Sequence, residues 1–190
     1  MQIFAPFVSL EDIAACLDDK RLNKQVLETR QIIRIIEGVR TGYKNHPAVK
    51  MYSAHLDFLR LYHNTMRAEW VARGKNSNMP DEVLSVASPK EVIINKEKKI
   101  HSSGFLLQVK YPEWWGERHE FHACHRANLL AKDINHYGRF KWTDEPNDEG
   151  YWWCVDNQWK FIVKGKKQQK QKSALKRLQT TSLSFSSKNV

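Results

Sequence analysis

The sequence has little cysteine, no long apolar run and, over its last stretch, no acid at all. Three cysteines in 190 residues, Cys16, Cys124 and Cys154, are widely spaced and odd in number. That argues against a disulfide scaffold and for a reducing compartment. No segment approaches the roughly 18 consecutive apolar residues of a membrane span, so no membrane association is expected. The opening stretch, MQIFAPFVSLEDIAACLDDK, lacks a basic start and an uninterrupted apolar core, and it does not read as a signal peptide. A cytoplasmic setting is the resulting expectation. With 41% hydrophobic residues, the chain is long enough for one domain with a real core.

The absence of acid has a position. From residue 160 onward there is no Asp or Glu, whereas Lys160, Lys164, Lys166, Lys167, Lys170, Lys172, Lys176, Arg177 and Lys188 supply nine of the 31 basic residues. The remainder carries 22 basic against 21 acidic residues. Residues 1–159 are thus nearly neutral, and a body, 1–163, is followed by a polycationic tail, 164–190. Such a tail suits non-specific phosphate binding through counterion release; it equally suits a solvated, disordered terminus.

What is present along the body is helical. Ser9 starts a first helix, with Asp12 as a capping-box partner, and Asp18–Asp19 marks a second start. Leu22, Val26, Thr29, Ile33 and Ile36 then step by four, three, four and three, which makes a buried helical stripe ending at Gly38 and Gly42. A second long helix is expected from Asn45, as cap, through Pro47 to Gly74. Within residues 75–111, EVIINKEKKI is readable as a short strand or a helix fragment. A third helical region covers about 117–134. RFKWTDEPNDEGYWWCVDNQWKFIV, with four tryptophans and an expected turn at DEPNDEG, reads as a hairpin or an extended aromatic arm.

Three groups of residues carry possible chemistry. Arg21, Lys24, Gln25 and Glu28 share one helix face; the cations suit phosphates, and a carboxylate among them can stabilise a positive centre or move protons. The plain alternative is a solvent face with an ordinary Lys24–Glu28 pair. His119, His122 and His125 recur at three-residue steps around Cys124, but this is not H-E-x-x-H, and no C-x-x-C supports zinc. No metal or other cofactor is expected. These histidines, with Arg126 and Asn128, either face a cleft or pack at a helix start. The tryptophans can stack on bases, although most in a domain of this size form core.

The stretches CLDDKRLNKQVLETRQI, NHPAVKMY, EWVARG and EFHACHRANLLAKDINHYG, with the tryptophan that follows, resemble the pyrimidine dimer DNA glycosylase (phage T4 endonuclease V) superfamily, in its broader bacterial and phage branch. The resemblance spans about residues 1–74 and 112–142. It implies a mainly α, compact three-helix T4 endonuclease V-like fold, here with an inserted segment at 75–111 and a disordered basic C-terminal tail. It implies an N-terminal segment that threads between helices to the active site, where the α-amine attacks C1′ of the damaged nucleotide, forms a Schiff base and cleaves the strand. An α-amine titrates near about 7.7–8.0 and so is substantially neutral at working pH. With Met1 in the nucleophile's place, which a following Gln2 favours by disfavouring methionine removal, the family's arginine falls at Arg21, a second arginine at Gln25 and the catalytic glutamate at Leu22. Glu28, further along the Arg21 face, is the substitute, with Asp19 behind it.

The resulting expectation is a monomeric protein acting on double-stranded DNA, a glycosylase and abasic-site lyase for damaged or modified pyrimidines. Met1, Glu28 and Arg21 are the expected catalytic group. Lys20, Lys24, Gln25, Asn45, His46, His122, His125, Arg126, Asn128, Lys166 and Lys167 are the expected DNA-binding residues. The rival reading is a non-catalytic DNA-binding protein on the same fold.

Overall fold

The computed structural model describes residues 1–85 and 109–164. The readings of EVIINKEKKI, of the tail, and of Lys166 and Lys167 within it lie outside the described residues. The chain is mainly helical. Its elements are α1 (Leu10–Cys16), α2 (Asp19–Ile36), α3 (Pro47–Tyr52), α4 (Leu56–Ala72), a 3-10 turn (Glu113–Trp115), α5 (His119–Lys132), α6 (Ile134–Tyr137), a second 3-10 turn (Gly138–Phe140), and strands β1 (Gly150–Val155) and β2 (Gln158–Val163). Three of the helices, α2, α4 and α5, are long.

Local chemistry explains the boundaries. The Ser9 hydroxyl accepts from the Asp12 N–H at 3.1 Å, and the Asp18 carboxylate accepts from the Arg21 N–H at 3.1 Å, so each helix start is capped by a side-chain oxygen. The chain leaves α2 through Gly38, whose φ of 76° suits a residue without Cβ. The expected single helix from 45 to 74 is two helices, α3 and α4, broken at Ser53–His55. Its cap is not Asn45, which is exposed, but His46, whose Nδ1 accepts from the Ala48 N–H at 3.1 Å.

Packing centres on the α2–α4 pair. Leu22, Val26, Thr29 and Ile33 of α2 are buried with Phe58, Leu59, Tyr62 and Met66 of α4. Arg73, just past α4, ties this pair to α1: its guanidinium donates to the carbonyls of Ala14 (3.0 Å), Ala15 (3.2 Å) and Leu17 (2.7 Å) and pairs with Glu69 and Asp19. One side chain thus satisfies carbonyls that the end of α1 leaves open. Residues 75–84 form a loop along α4, where the Asn64 amide exchanges two 2.8 Å hydrogen bonds with the Glu82 backbone.

The aromatic C-terminal stretch is a hairpin. β1 and β2 pair antiparallel from Gly150↔Val163 to Val155↔Gln158. The turn is not DEPNDEG, which leads into β1, but Asp156–Asn157, with φ of 53° and 57°; two residues of positive φ match the strand twist of a tight hairpin. Gly150 is obligatory, because a Cβ there would sit 2.4 Å from the Ile162 carbonyl oxygen. Trp114, Trp115 and Trp153 are core residues. Arg118 lies over the Trp152 ring at 4.2 Å.

Candidate functional site

The N-terminal eight residues have no regular secondary structure, so their backbone groups must find partners elsewhere. Side chains supply them. The buried Gln25 of α2 accepts from the Phe4 N–H at 2.9 Å and donates to the Gln2 carbonyl at 2.9 Å. The Tyr62 hydroxyl of α4 donates to the Phe4 carbonyl at 2.8 Å and lies 2.9 Å from the same Gln25 oxygen. Further along, His122 Nδ1 is 2.7 Å from the Ala5 carbonyl, Arg126 donates to the Pro6 carbonyl at 3.1 Å, and the Trp115 indole donates to the Val8 carbonyl at 2.8 Å. The segment therefore runs between α2, α4 and α5, and is held by all three.

That threading brings the chain's first residue to a cleft of about 880 Å³. Met1, Gln2 and Phe4 line it together with Lys20, Arg21, Lys24 and Glu28 of α2, His46 and Pro47 at the start of α3, Lys132 at the end of α5, and Tyr151, Trp153, Ile162, Val163 and Lys164 of the hairpin region. Glu28 is the carboxylate in this lining. Its Oε2 accepts from the Gln2 N–H at 2.9 Å, and its Oε1 is 3.7 Å from Lys24 Nζ. The cleft is thus cationic, with one acid beside the N-terminus and aromatic side chains alongside.

His46 is tuned by its setting. Burial pushes its pKa below the ordinary histidine value, and the charge of the chain's N-terminus adds to the shift. Since Nδ1 accepts the Ala48 N–H, the neutral ring carries its proton on Nε2. Arg21 is half committed elsewhere. It pairs with Asp18 at 2.6 Å, approaches Asp133 at 3.7 Å and lies 5.6 Å from the Tyr137 ring centroid. Burial raises the Asp18 pKa, but hydrogen bonds from Tyr137 (2.6 Å) and Arg21 outweigh it and hold the carboxyl below its usual range. Asp18 is therefore an ionised anchor for Arg21.

The expected residues divide. Met1, Lys20, Arg21, Lys24, Glu28 and His46 come together at the cleft. Leu22, where the family register puts a glutamate, is core. Gln25 does not face the cleft; it is fully buried as the splint of the N-terminal segment. Asn45 is exposed outside the lining, and α3, at six residues, is too short for an anion site at its start. His122 has both ring nitrogens taken by backbone, with the Trp115 carbonyl 2.7 Å from Nε2. His125 is buried among Phe4, Phe121 and Tyr151, with ring centroids 6.2, 4.8 and 5.1 Å away. Arg126 is locked to Asp144 at 2.5 and 3.2 Å. Asn128 is buried and bonded to the Cys124 and Gly150 carbonyls. None of these last four reaches the cleft. Among the described residues no group of three or more His, Cys, Asp or Glu is arranged to hold a metal ion, and no helix is long and apolar enough to cross a membrane.

Lys132 and Tyr151 line the cleft without a sequence signal of their own, whereas Trp153 belongs to the base-stacking tryptophans and Lys164 to the basic tail. Lys164 follows the aromatic stretch directly and is the first cation of the tail.

No curated protein and no solved structure matches the chain. A match to a protein family covers the segment that threads to the cleft and the helices that receive it: residues 1–83 match the model of the pyrimidine dimer DNA glycosylase family, the family to which the N-terminal motifs point.

Proposed function

We propose that this protein is a DNA glycosylase with abasic-site lyase activity on damaged or modified pyrimidines, working through the α-amine of Met1. The observation that carries the reading is the Gln2 N–H to Glu28 hydrogen bond, which anchors the N-terminus one residue from a carboxylate inside a cationic cleft. The neutral amine attacks C1′, and the bond from C1′ to the base nitrogen breaks as the base leaves with its electron pair and gains a proton. Loss of a proton from the new ammonium and opening of the sugar ring give the imine. Loss of a proton from C2′ then forms the C2′–C3′ double bond as the C3′–O bond breaks, and the phosphate leaves on the downstream strand. Glu28 stabilises the cationic intermediates and relays protons. The neutral His46, with its proton on Nε2, is a donor in the same cleft. Lys20, Lys24 and the part of Arg21 not held by Asp18 attract the phosphate backbone.

The second reading is a DNA-binding protein without catalysis. What favours it is Leu22, buried where the family register expects the glutamate. Blocking the α-amine separates the two. A chain acetylated at Met1, or extended by one residue, is expected to lose cleavage of abasic and ultraviolet-irradiated duplexes while keeping its DNA affinity. Cleavage that survives the block contradicts amine chemistry.

A further inference from the structure

The hairpin region lies wholly outside the matched residues 1–83, yet it reaches the same cleft. We propose that Lys164, just past β2, and Lys132, at the end of α5, form a seat for one phosphodiester group of the bound strand, separate from the α2 cations. The inference rests on reading the cleft as a DNA site.

Lys164 is positioned, not loose. Its backbone N–H donates to the Glu149 carbonyl at 2.7 Å. Its ammonium donates to Asn128 Oδ1 at 2.7 Å and lies 5.1 Å from the Tyr151 ring centroid. Asn128 is itself 2% exposed and fixed by two backbone carbonyls, so its oxygen holds a cation at a defined point. Asp148 is 4.0 Å away and offsets part of that charge. Lys132 and Lys164 both line the cleft, and partial burial lowers the Lys164 pKa from its ordinary value. Two lysines lining one wall of a cleft make a cationic point that attracts an anion. A phosphodiester offers two charged non-bridging oxygens, one for each amine, and lysine serves phosphate as a point charge. Asn128 therefore acts on DNA indirectly, as a positioning residue for Lys164.

The test is DNA binding by the full-length chain, measured by fluorescence anisotropy across a sodium chloride series, with K132Q/K164Q, K132R/K164R and K24Q beside the parent. The glutamine pair is expected to weaken binding about tenfold at physiological salt and to reduce the slope of log K against log salt by about 0.9, the value of one phosphate contact. The arginine pair is expected to restore both, which a folding defect would not allow. Asp148→Asn is expected to tighten binding. If K24Q weakens binding and the glutamine pair does not, the seat is refuted and the cleft stands. If neither does, the seat falls together with the reading of the cleft. Inorganic phosphate that competes with DNA at constant ionic strength in the parent, and not in the glutamine pair, supports the seat; equal competition in both refutes it.

Discussion

The Gln2 N–H donates to Glu28 Oε2 at 2.9 Å across 26 residues of sequence. A single carboxylate thereby fixes the approach of the N-terminus and supplies a negative charge where a positive centre would develop. Glu28→Gln separates the two roles, because the amide oxygen still accepts from Gln2 but carries no charge. The expected result is a folded protein with near-parental DNA affinity and a cleavage rate lowered roughly 10²–10⁴-fold. Single-turnover cleavage of an abasic duplex measures it; a parental rate removes Glu28 from the chemistry.

Gln25 makes a different prediction from the one its sequence position invites. Gln25→Leu removes the partner of the Phe4 N–H and the Gln2 carbonyl in a buried site. It is expected to cost about 2–6 kcal/mol of stability in urea unfolding, the sum of two unsatisfied backbone groups. A variant of parental stability that only binds DNA less well would mean that Gln25 reads DNA.

Burial holds the His125 pKa well below its ordinary value of 6.5. The sign follows from proton counting: the unfolded chain takes up a proton below about pH 6.5 and the folded chain does not. His125 therefore weakens folding as pH falls through and below 6.5, with a slope of up to about 1.4 kcal/mol per pH unit, and leaves stability unaffected above that range. Among the described residues its Nδ1 has no hydrogen-bond partner, so His125→Phe gives up no bond there and keeps the ring packing. Urea unfolding at pH 7.5, 6.5 and 5.5 is expected to show a shallower acid slope in the variant. An unchanged slope contradicts the buried neutral ring.

Arg73→Gln strips the Ala14, Ala15 and Leu17 carbonyls of a charged donor. The expected loss is about 2–4 kcal/mol, with α1 the first segment to lose amide hydrogen-exchange protection. Uniform protection loss across α1, α2 and α4 would instead mean that Arg73 does not act at the end of α1.

Much of this fold is legible in sequence where local chemistry decides. Ser9 and Asp18 mark helix starts, the stripe from Leu22 to Ile33 marks the core face, and Gly38 marks a helix end. The α3–α4 break carries no glycine or proline at Ser53–His55, so nothing local announces it. The site is legible on α2, where Arg21, Lys24 and Glu28 share a face through helix periodicity. It is illegible where distant backbone decides. Gln25 sits on the same face but meets the Gln2 and Phe4 backbone, and His122 and Arg126 are captured by the Ala5 and Pro6 carbonyls. Lys164 enters the cleft only because the hairpin turns at Asp156–Asn157 rather than earlier.

Met1 and Glu28 are proposed to make one reactive site, and borohydride trapping reads out its imine. The chain with a native N-terminus is incubated with undamaged, ultraviolet-irradiated and abasic duplexes, reduced with borohydride, and the attached residue is mapped by peptide mass spectrometry. The account predicts a covalent adduct at Met1 on the abasic and irradiated duplexes, and none on undamaged DNA. An adduct on a lysine side chain, or DNA bound tightly with no adduct on any duplex, would contradict it.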